Sequence, residues 1–385
     1  MCDPFTHPDV GVYALNINFK WNKKNNNSLA ALMPLVDGAQ LVEEPTDGIM
    51  VYSFATAQAD EVFREVKAAS TDSIFIAGGP HPSARPKECL EFFDYVVIGE
   101  GEETLPELVR SIREGDLTDV EGIAYLKGGN CVHTGKRPDV NLDAYPPFSK
   151  DLLMGTIEIS RGCPHNCGYC QTPRLSGHRM RHRSPGVVAK YAGMMRDVRF
   201  VSPNAFAYGS NGIRPEPDKV QALLEAIPEG RRIFFGTFPS EVRPEFVTEE
   251  MLGLVKKYCY NTSLSLGAQS GSQVVLDQIS RGHGVDEVKN AIQLCMRYEL
   301  TPIIDVIFGL PGETFDDQND TLDLIKWIID NNGRIHSHYF TPLPGTPLEE
   351  CAPSPVSQEV KRSIGRLALS GKVTGVWEPG IGRQI

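Results

Sequence analysis

The 385-residue sequence contains no apolar run near the length of a membrane span, and no charged-then-apolar leader opens it. The expectation is therefore a cytoplasmic protein with no membrane partner and no secretory signal. Positive charge is also scarce. Lys and Arg number 38 against 49 Asp and Glu, a formal net charge of −11. A nucleic-acid partner is not expected, because phosphate binding needs clustered cations. The cysteine density of a disulfide scaffold is missing as well. Nine cysteines occur, and Cys2, Cys89, Cys131, Cys259, Cys295 and Cys351 are scattered, as small buried hydrophobes usually are. No internal repeat is visible. What remains, at 41% hydrophobic and 23% charged, is an ordinary globular chain long enough for two or three domains.

Apolar runs alternate with helical patterns, the signature of parallel α/β architecture. In the first part, strands are expected at 10–17, 48–54, 73–77 and 95–98, with helices at 57–69 and 102–114. That rhythm predicts a Rossmann-like, doubly wound sheet holding a ligand beyond its strand C-termini. The loops there are 18–22, 53–57, 78–83 and 99–103, and the extended piece 122–129 adds to the sheet. Residues 139–151, with paired prolines and no periodicity, form a linker. Six strands follow, near 156–161, 199–203, 232–237, 262–268, 302–308 and 334–340, with at least five helices between them. They predict a partial (βα)6 barrel. The expected division is a first domain over 1–138, the linker 139–151, a barrel over 152–350 and a short C-terminal extension over 351–385.

The remaining three cysteines fall in "ISRGCPHNCGYCQT": Cys163, Cys167 and Cys170, on a loop after the first barrel strand. Structural zinc wants four ligands, commonly two separated pairs, and no second pair lies nearby. Three thiolates on a tight loop suit a 4Fe-4S cluster with one iron open to a ligand. The basic strip "GHRMRHR" (177–183) follows, and reads either as a site for an acidic group or as a solvated or ion-paired face.

The pattern C-x3-C-x2-C, with Tyr169 before the third cysteine, resembles the radical S-adenosylmethionine (SAM) superfamily. The resemblance implies that the open iron chelates SAM and that its reductive cleavage yields a deoxyadenosyl radical. It places Gln269, Ser270 and Arg281 of "SLGAQSGSQVVLDQISRGH" near the adenosyl and carboxylate groups. In "DVIFGLPGET" it places the backbone around Ile307 and Gly309 against adenine. Where the family often carries Gly-Gly-Glu for the SAM amine, this chain has Ser202-Pro203-Asn204, which puts that contact in doubt.

Residues 74–109 resemble the N-terminal cobalamin-binding domain of one radical SAM class. The residues implied at the cobalamin are Asn18, Phe19, Ser53, Phe54, Gly78, Gly79, Pro80, His81, Gly99, Glu100 and Gly101. Histidine-ligating cobalamin domains carry Asp-x-His-x-x-Gly after the first strand, and here "NINFKWNKKN" has no histidine. Cobalt without a histidine below it is the expectation, a state suited to methyl transfer. The class implies a cobalamin-dependent methyltransferase that consumes two SAM per methyl group, passing one methyl through methylcobalamin to an unactivated sp3 carbon. The compact layout resembles methanogen enzymes that C-methylate methyl-coenzyme M reductase, with a glutamine as the favoured target. A peptide or protein substrate and an electron donor such as a ferredoxin are the implied partners. Two other readings stand beside it: a cobalamin-free radical SAM enzyme of methylthiotransferase or cyclase type, and a non-catalytic iron–sulfur module.

Overall fold

The structure, a computed structural model, describes residues 16–117 and 119–378, and the chain divides between Thr156 and Ile157 into two compact units. In the first unit, β1 (Ile17–Lys20), β2 (Ala39–Val42), β3 (Gly48–Ser53), β4 (Ser73–Gly78) and β5 (Tyr95–Val97) are all parallel. The antiparallel strands β6 (Ile123–Lys127) and β7 (Asn130–His133) extend the sheet, giving the order β2-β1-β3-β4-β5-β6-β7. The central strand β3, GIMVYS, is buried along its whole length, as a parallel strand covered on both faces must be. Its alternation serves two cores. Ile49 and Val51 join Ile17, Phe19 and Leu108 on one side, while Met50 and Tyr52 join Phe63, Phe93 and Val96 on the other. Because β1 lies between β2 and β3, the chain reverses direction there, and the sheet has a switch point at the C-termini of β1 and β3.

Strand β1 falls later than the expected 10–17, of which the part before residue 16 lies outside the described residues. Ile17 and Phe19 alternate into the core, so the strand runs on to Lys20 and the following loop begins at Trp21. The helix Asn26–Leu32 and strand β2 were not expected. Both are short, and β2 is largely exposed, which left little apolar period to read.

In the second unit β8 (Ile157–Glu158), β11 (Asp197–Val201) and β12 (Arg232–Phe234) are parallel neighbours. Between β8 and β11, β9 (Ser160–Arg161) pairs antiparallel with β10 (Arg181–His182). The parallel set β13 (Ser263–Gln269), β14 (Thr301–Phe308), β15 (Arg334–Tyr339) and β16 (Val373–Gly375) follows. A parallel bridge between Val242 and Leu266 links the two sets, with the Ser265 N–H donating to Gly236 O at 2.9 Å. Six helices alternate with these strands, at 185–192, 217–226, 249–258, 285–297, 315–330 and 358–369. The last helix and β16 come from the segment expected only as an extension. They add a strand beyond the six anticipated, because Val360 and Ile364 bury one helix face.

On β14 the side chains of Ile304, Val306 and Phe308 are fully buried on one face. The opposite face carries Ile303, Asp305 and Ile307. Ile307 packs with Tyr169 of the cysteine loop, which identifies that face as the concave one.

Candidate functional site

The ladder between β9 and β10 closes the cysteine loop at its base, and the Cys163 N–H donates to Gly177 O at 3.1 Å. Gly162 has φ +85, and a Cβ there would lie 2.2 Å from Arg179 O, so this corner admits only glycine. Three further contacts fix the loop's outer part. The Gly168 N–H donates to Ile279 O at 2.8 Å, Gln171 Nε2 donates to Pro344 O at 2.7 Å, and His165 Nε2 donates to Gly212 O at 3.0 Å. Cys163, Cys167 and Cys170 are free thiols on this loop. Burial pushes the Cys163 thiol above its ordinary value, and the Cys167 and Cys170 sulfurs are close enough to raise it further.

Two buried guanidinium groups converge on Cys167. Arg281 Nη1 lies 3.6 Å and Arg243 Nη1 3.8 Å from its sulfur. Arg281 also donates from Nη2 to Gly267 O at 2.8 Å, and Arg243 to the Arg281 carbonyl. Glu245 holds the pair in place: it accepts from Arg243 Nε at 2.5 Å and lies 3.1 Å from His283 Nδ1. Burial alone would raise the Glu245 carboxyl, but the nearby His283 imidazole and the Arg243 charge outweigh it and hold the group at about 2. Two cations against one carboxylate leave positive charge at the thiols, which suits an anionic thiolate-bound cluster. Arg281 Nε is buried without a hydrogen-bond partner, an open donor that fits a ligand carboxylate. The donor set therefore fits a 4Fe-4S cluster with SAM.

The other expected SAM residues are placed as follows. Gln269, with φ +77 at the bulged end of β13, is buried beside Arg281 under Gly267. Ser270 Oγ is 3.2 Å from Thr321 Oγ1 and accepts from the Ser272 N–H, so it braces the turn. Ser202 Oγ pairs with Ser240 Oγ at 2.6 Å. Asn204 Oδ1 accepts from the Arg243 N–H at 3.4 Å, which leaves its buried Nδ2 unpartnered. A donor there suits a carboxylate or hydroxyl rather than an ammonium. Tyr169 and Ile307 share an apolar cluster with Val275, Ile279 and Phe340. Gly309 gives its N–H to Glu313 Oε2 at 2.8 Å, so adenine would meet it through packing.

Arg243 and Glu245 were not anticipated, since nothing local marks "EVRPEF" as part of a site, and His283 closes the motif "SLGAQSGSQVVLDQISRGH" without an expected role. The basic strip is mostly structural: Arg183 is 2% exposed and donates from Nε to Glu158 O, while His182 bonds Ser160 Oγ and Ser210 O. His178 and Arg179 are exposed.

In the first unit the expected cobalamin residues separate into two groups. Ser53, Gly78, Gly79, Pro80, Gly99, Glu100 and Gly101 lie at strand C-terminal ends. Asn25 ties the two sides of the switch point, donating from Nδ2 to both Lys20 O and Ser53 O, and Ser28 Oγ meets Ser53 Oγ at 2.9 Å. Gly99 has φ +78, and a Cβ there would meet nothing within 4 Å. This open, glycine-ended crevice fits a large flat cofactor. The second group lies elsewhere. Asn18 sits within β1 and donates to Asp47 O at the N-terminal side of β3, while Phe19 and Phe54 belong to the cores. His81 is 4% exposed, with its ring stacked on Phe54 at 5.8 Å and edge-on to Phe63 at 5.9 Å.

Residues 157–325 match the family model of the Radical SAM superfamily, and residues 39–109 match that of the B12 binding domain. The chain is similar to an uncharacterized methyltransferase of Pyrococcus horikoshii, 26% identical over 377 residues that cover 90% of this chain and 79% of the relative. It is also similar to a tRNA-2-methylthio-N(6)-dimethylallyladenosine synthase of Pelobacter propionicus, 28% identical over 247 residues, 61% of this chain and 54% of the relative. Among solved structures, the radical SAM methyltransferase TsrM of Kitasatospora setae, with cobalamin and a 4Fe-4S cluster bound, shares the fold. Its TM-score is 0.66 at 16% identity, covering 87% of this chain and 77% of that one. The chain thus joins an N-terminal B12-binding domain to a radical SAM domain, with a 4Fe-4S cluster, SAM and cobalamin as its cofactors.

Proposed function

We propose that the protein is a cobalamin-dependent radical SAM methyltransferase that places a methyl group on an unactivated sp3 carbon of a protein residue, a glutamine of methyl-coenzyme M reductase being the favoured target. The observation that carries this reading is the presence in one chain of the three-cysteine loop and the glycine-ended sheet of a B12-binding domain. When bound, the cluster with SAM supplies hydrogen abstraction and the cobalamin supplies the methyl group. The chain's residues supply position and electrostatics. Cys163, Cys167 and Cys170 hold the iron. Arg243 and Arg281 direct N–H groups at the Cys167 sulfur and favour added negative charge there. Arg281 Nε and Asn204 Nδ2 are the open donors for the SAM carboxylate and a hydroxyl. Tyr169, Ile307 and Phe340 form an apolar wall beside the cysteine loop.

The similarity to a methylthio synthase raises a second reading, methylthio transfer, which needs a second cluster on cysteines of the first unit. Cys89 is wholly buried in a core and Cys131 is exposed on β7. Among the described residues these two offer no shared ligand site, which favours methyl over methylthio transfer. The deciding experiment is proteome mass spectrometry of the host with and without this protein, using SAM labelled in its methyl group. A labelled residue heavier by one methylene supports the proposal, and a sulfur-containing adduct refutes it.

A further inference from the structure

The concave face of the radical SAM domain carries a second cluster of ligating side chains, separate from the cysteine loop. Asp305 on β14 stands opposite His336 on β15, and His338 follows two residues later on the same face. One ligand atom from each of Asp305, His336 and His338 lies within 4.8 Å of the others. His338 Nε2 is 3.6 Å from Asp305 Oδ1, and the two imidazole rings meet edge to face with centroids 4.7 Å apart.

A hydroxyl on the neighbouring strand orients the ring of His336. Thr374 on β16 is its register partner, and Thr374 Oγ1 donates to Ile335 O at 3.3 Å. His336 Nδ1 meets the same hydroxyl at 2.9 Å, a contact that orients the imidazole ring. A hydroxyl holding the far ring nitrogen is how metal-binding imidazoles are oriented. One carboxyl and two imidazoles, all oxygen and nitrogen donors, form a hard-to-borderline set with no thiolate in it.

We propose that Asp305, His336 and His338 form a site for one divalent transition-metal ion, zinc or iron(II), on the concave face of the barrel, with a water or substrate oxygen at the remaining position. Donor atoms around such an ion stand roughly 3.4 Å apart at bond lengths near 2.1 Å. The present spread of up to 4.8 Å reaches that by a closure of at most about 1.4 Å, within the swing of the exposed His338 ring. The site is independent of the methyl-transfer reading, since it is defined by protein ligands alone.

The test uses holoprotein with its cluster assembled anaerobically, dialysed against micromolar zinc chloride in one arm and ferrous ion in another. Metal per chain is counted by mass spectrometry, and the first shell is read by X-ray absorption at the zinc edge. The expected result is one added metal equivalent in a shell of nitrogen and oxygen near 2.0–2.1 Å. His336→Ala or His338→Ala should remove it at least tenfold while cluster iron stays constant. Thr374→Val, which keeps every ligand, should weaken binding by about tenfold through loss of the orienting bond. The proposal is overturned if the wild type binds no added metal, if its shell contains sulfur, or if the histidine variants bind equally well. A wild type without metal whose histidine variants raise the substrate KM would assign the cluster to substrate hydrogen bonding instead.

Discussion

The guanidinium of Arg281 stands 3.6 Å from the sulfur of Cys167, although 114 residues separate them in the chain. Arg243 approaches the same sulfur from a third segment, at 3.8 Å. Hydrogen bonds to cluster sulfurs raise a reduction potential by favouring the more negative state. Arg243→Met should therefore lower the cluster potential by on the order of 50 mV, equivalent to about 1.2 kcal/mol for one electron. A redox titration followed by electron paramagnetic resonance measures this, and an unchanged potential would separate Arg243 from the cluster's electronics.

Cys163→Ala, Cys167→Ala and Cys170→Ala should each strip the cluster and abolish deoxyadenosine release from SAM. Cys295→Ala should leave iron content intact, because that thiol is fully buried on the 285–297 helix and acts as a small apolar group. Iron per chain distinguishes the two sets.

Gly162→Ala touches no ligand and yet should cost most of the cluster. The new methyl would sit 2.2 Å from Arg179 O at a φ of +85, so the loop must open at its base. Normal iron loading in this variant would show that the corner can relax.

Cobalamin occupancy should respond differently at two glycines. At Gly79 a Cβ would lie 3.0 Å from Phe54 N and O at φ +97, so a bulky residue there distorts the protein before it meets any ligand. At Gly99 a Cβ meets nothing within 4 Å, and the cost to the fold is confined to about 1–2 kcal/mol of left-handed strain. Gly99→Leu should reduce cobalamin binding at least severalfold with cluster iron unchanged. Full occupancy would move the cofactor away from this end of the sheet.

Glu313 ties stability to pH. Burial raises its carboxyl to about 7 from 4.5, against the opposing hydrogen bond from Gly309. A raised folded value means that the native state holds the proton more tightly. The group's contribution is thus complete below 4.5 and lost as pH rises through about 7, by at most ~3 kcal/mol. Glu313→Gln has no proton to lose. Its denaturation midpoint should gain on the wild type across that interval, and parallel curves would contradict the assignment.

The legible parts were those whose signal is local. Three cysteines in eight positions, and apolar strands ending in glycine, announce themselves over short stretches. The brace around Cys167 does not, since Arg243, Glu245 and His283 meet only after the barrel has brought three loops together. Asp305 did leave a trace, a lone carboxylate inside the strand "IIDVIF", and its meaning needed the register that sets it opposite His336. Asn18 and Phe19 were assigned to a ligand loop because β1 was placed too early. Their alternation with Ile17 reads equally well as strand, and the core decided between the two.

The β9–β10 clasp has a bearing on how the cofactor is acquired. Its pairings, and the bonds from Cys163, Gly168 and Gln171, are made by protein groups alone. Each such bond reduces the conformations that a bound cluster would otherwise have to select, so loosening the clasp should weaken iron retention as well as the fold.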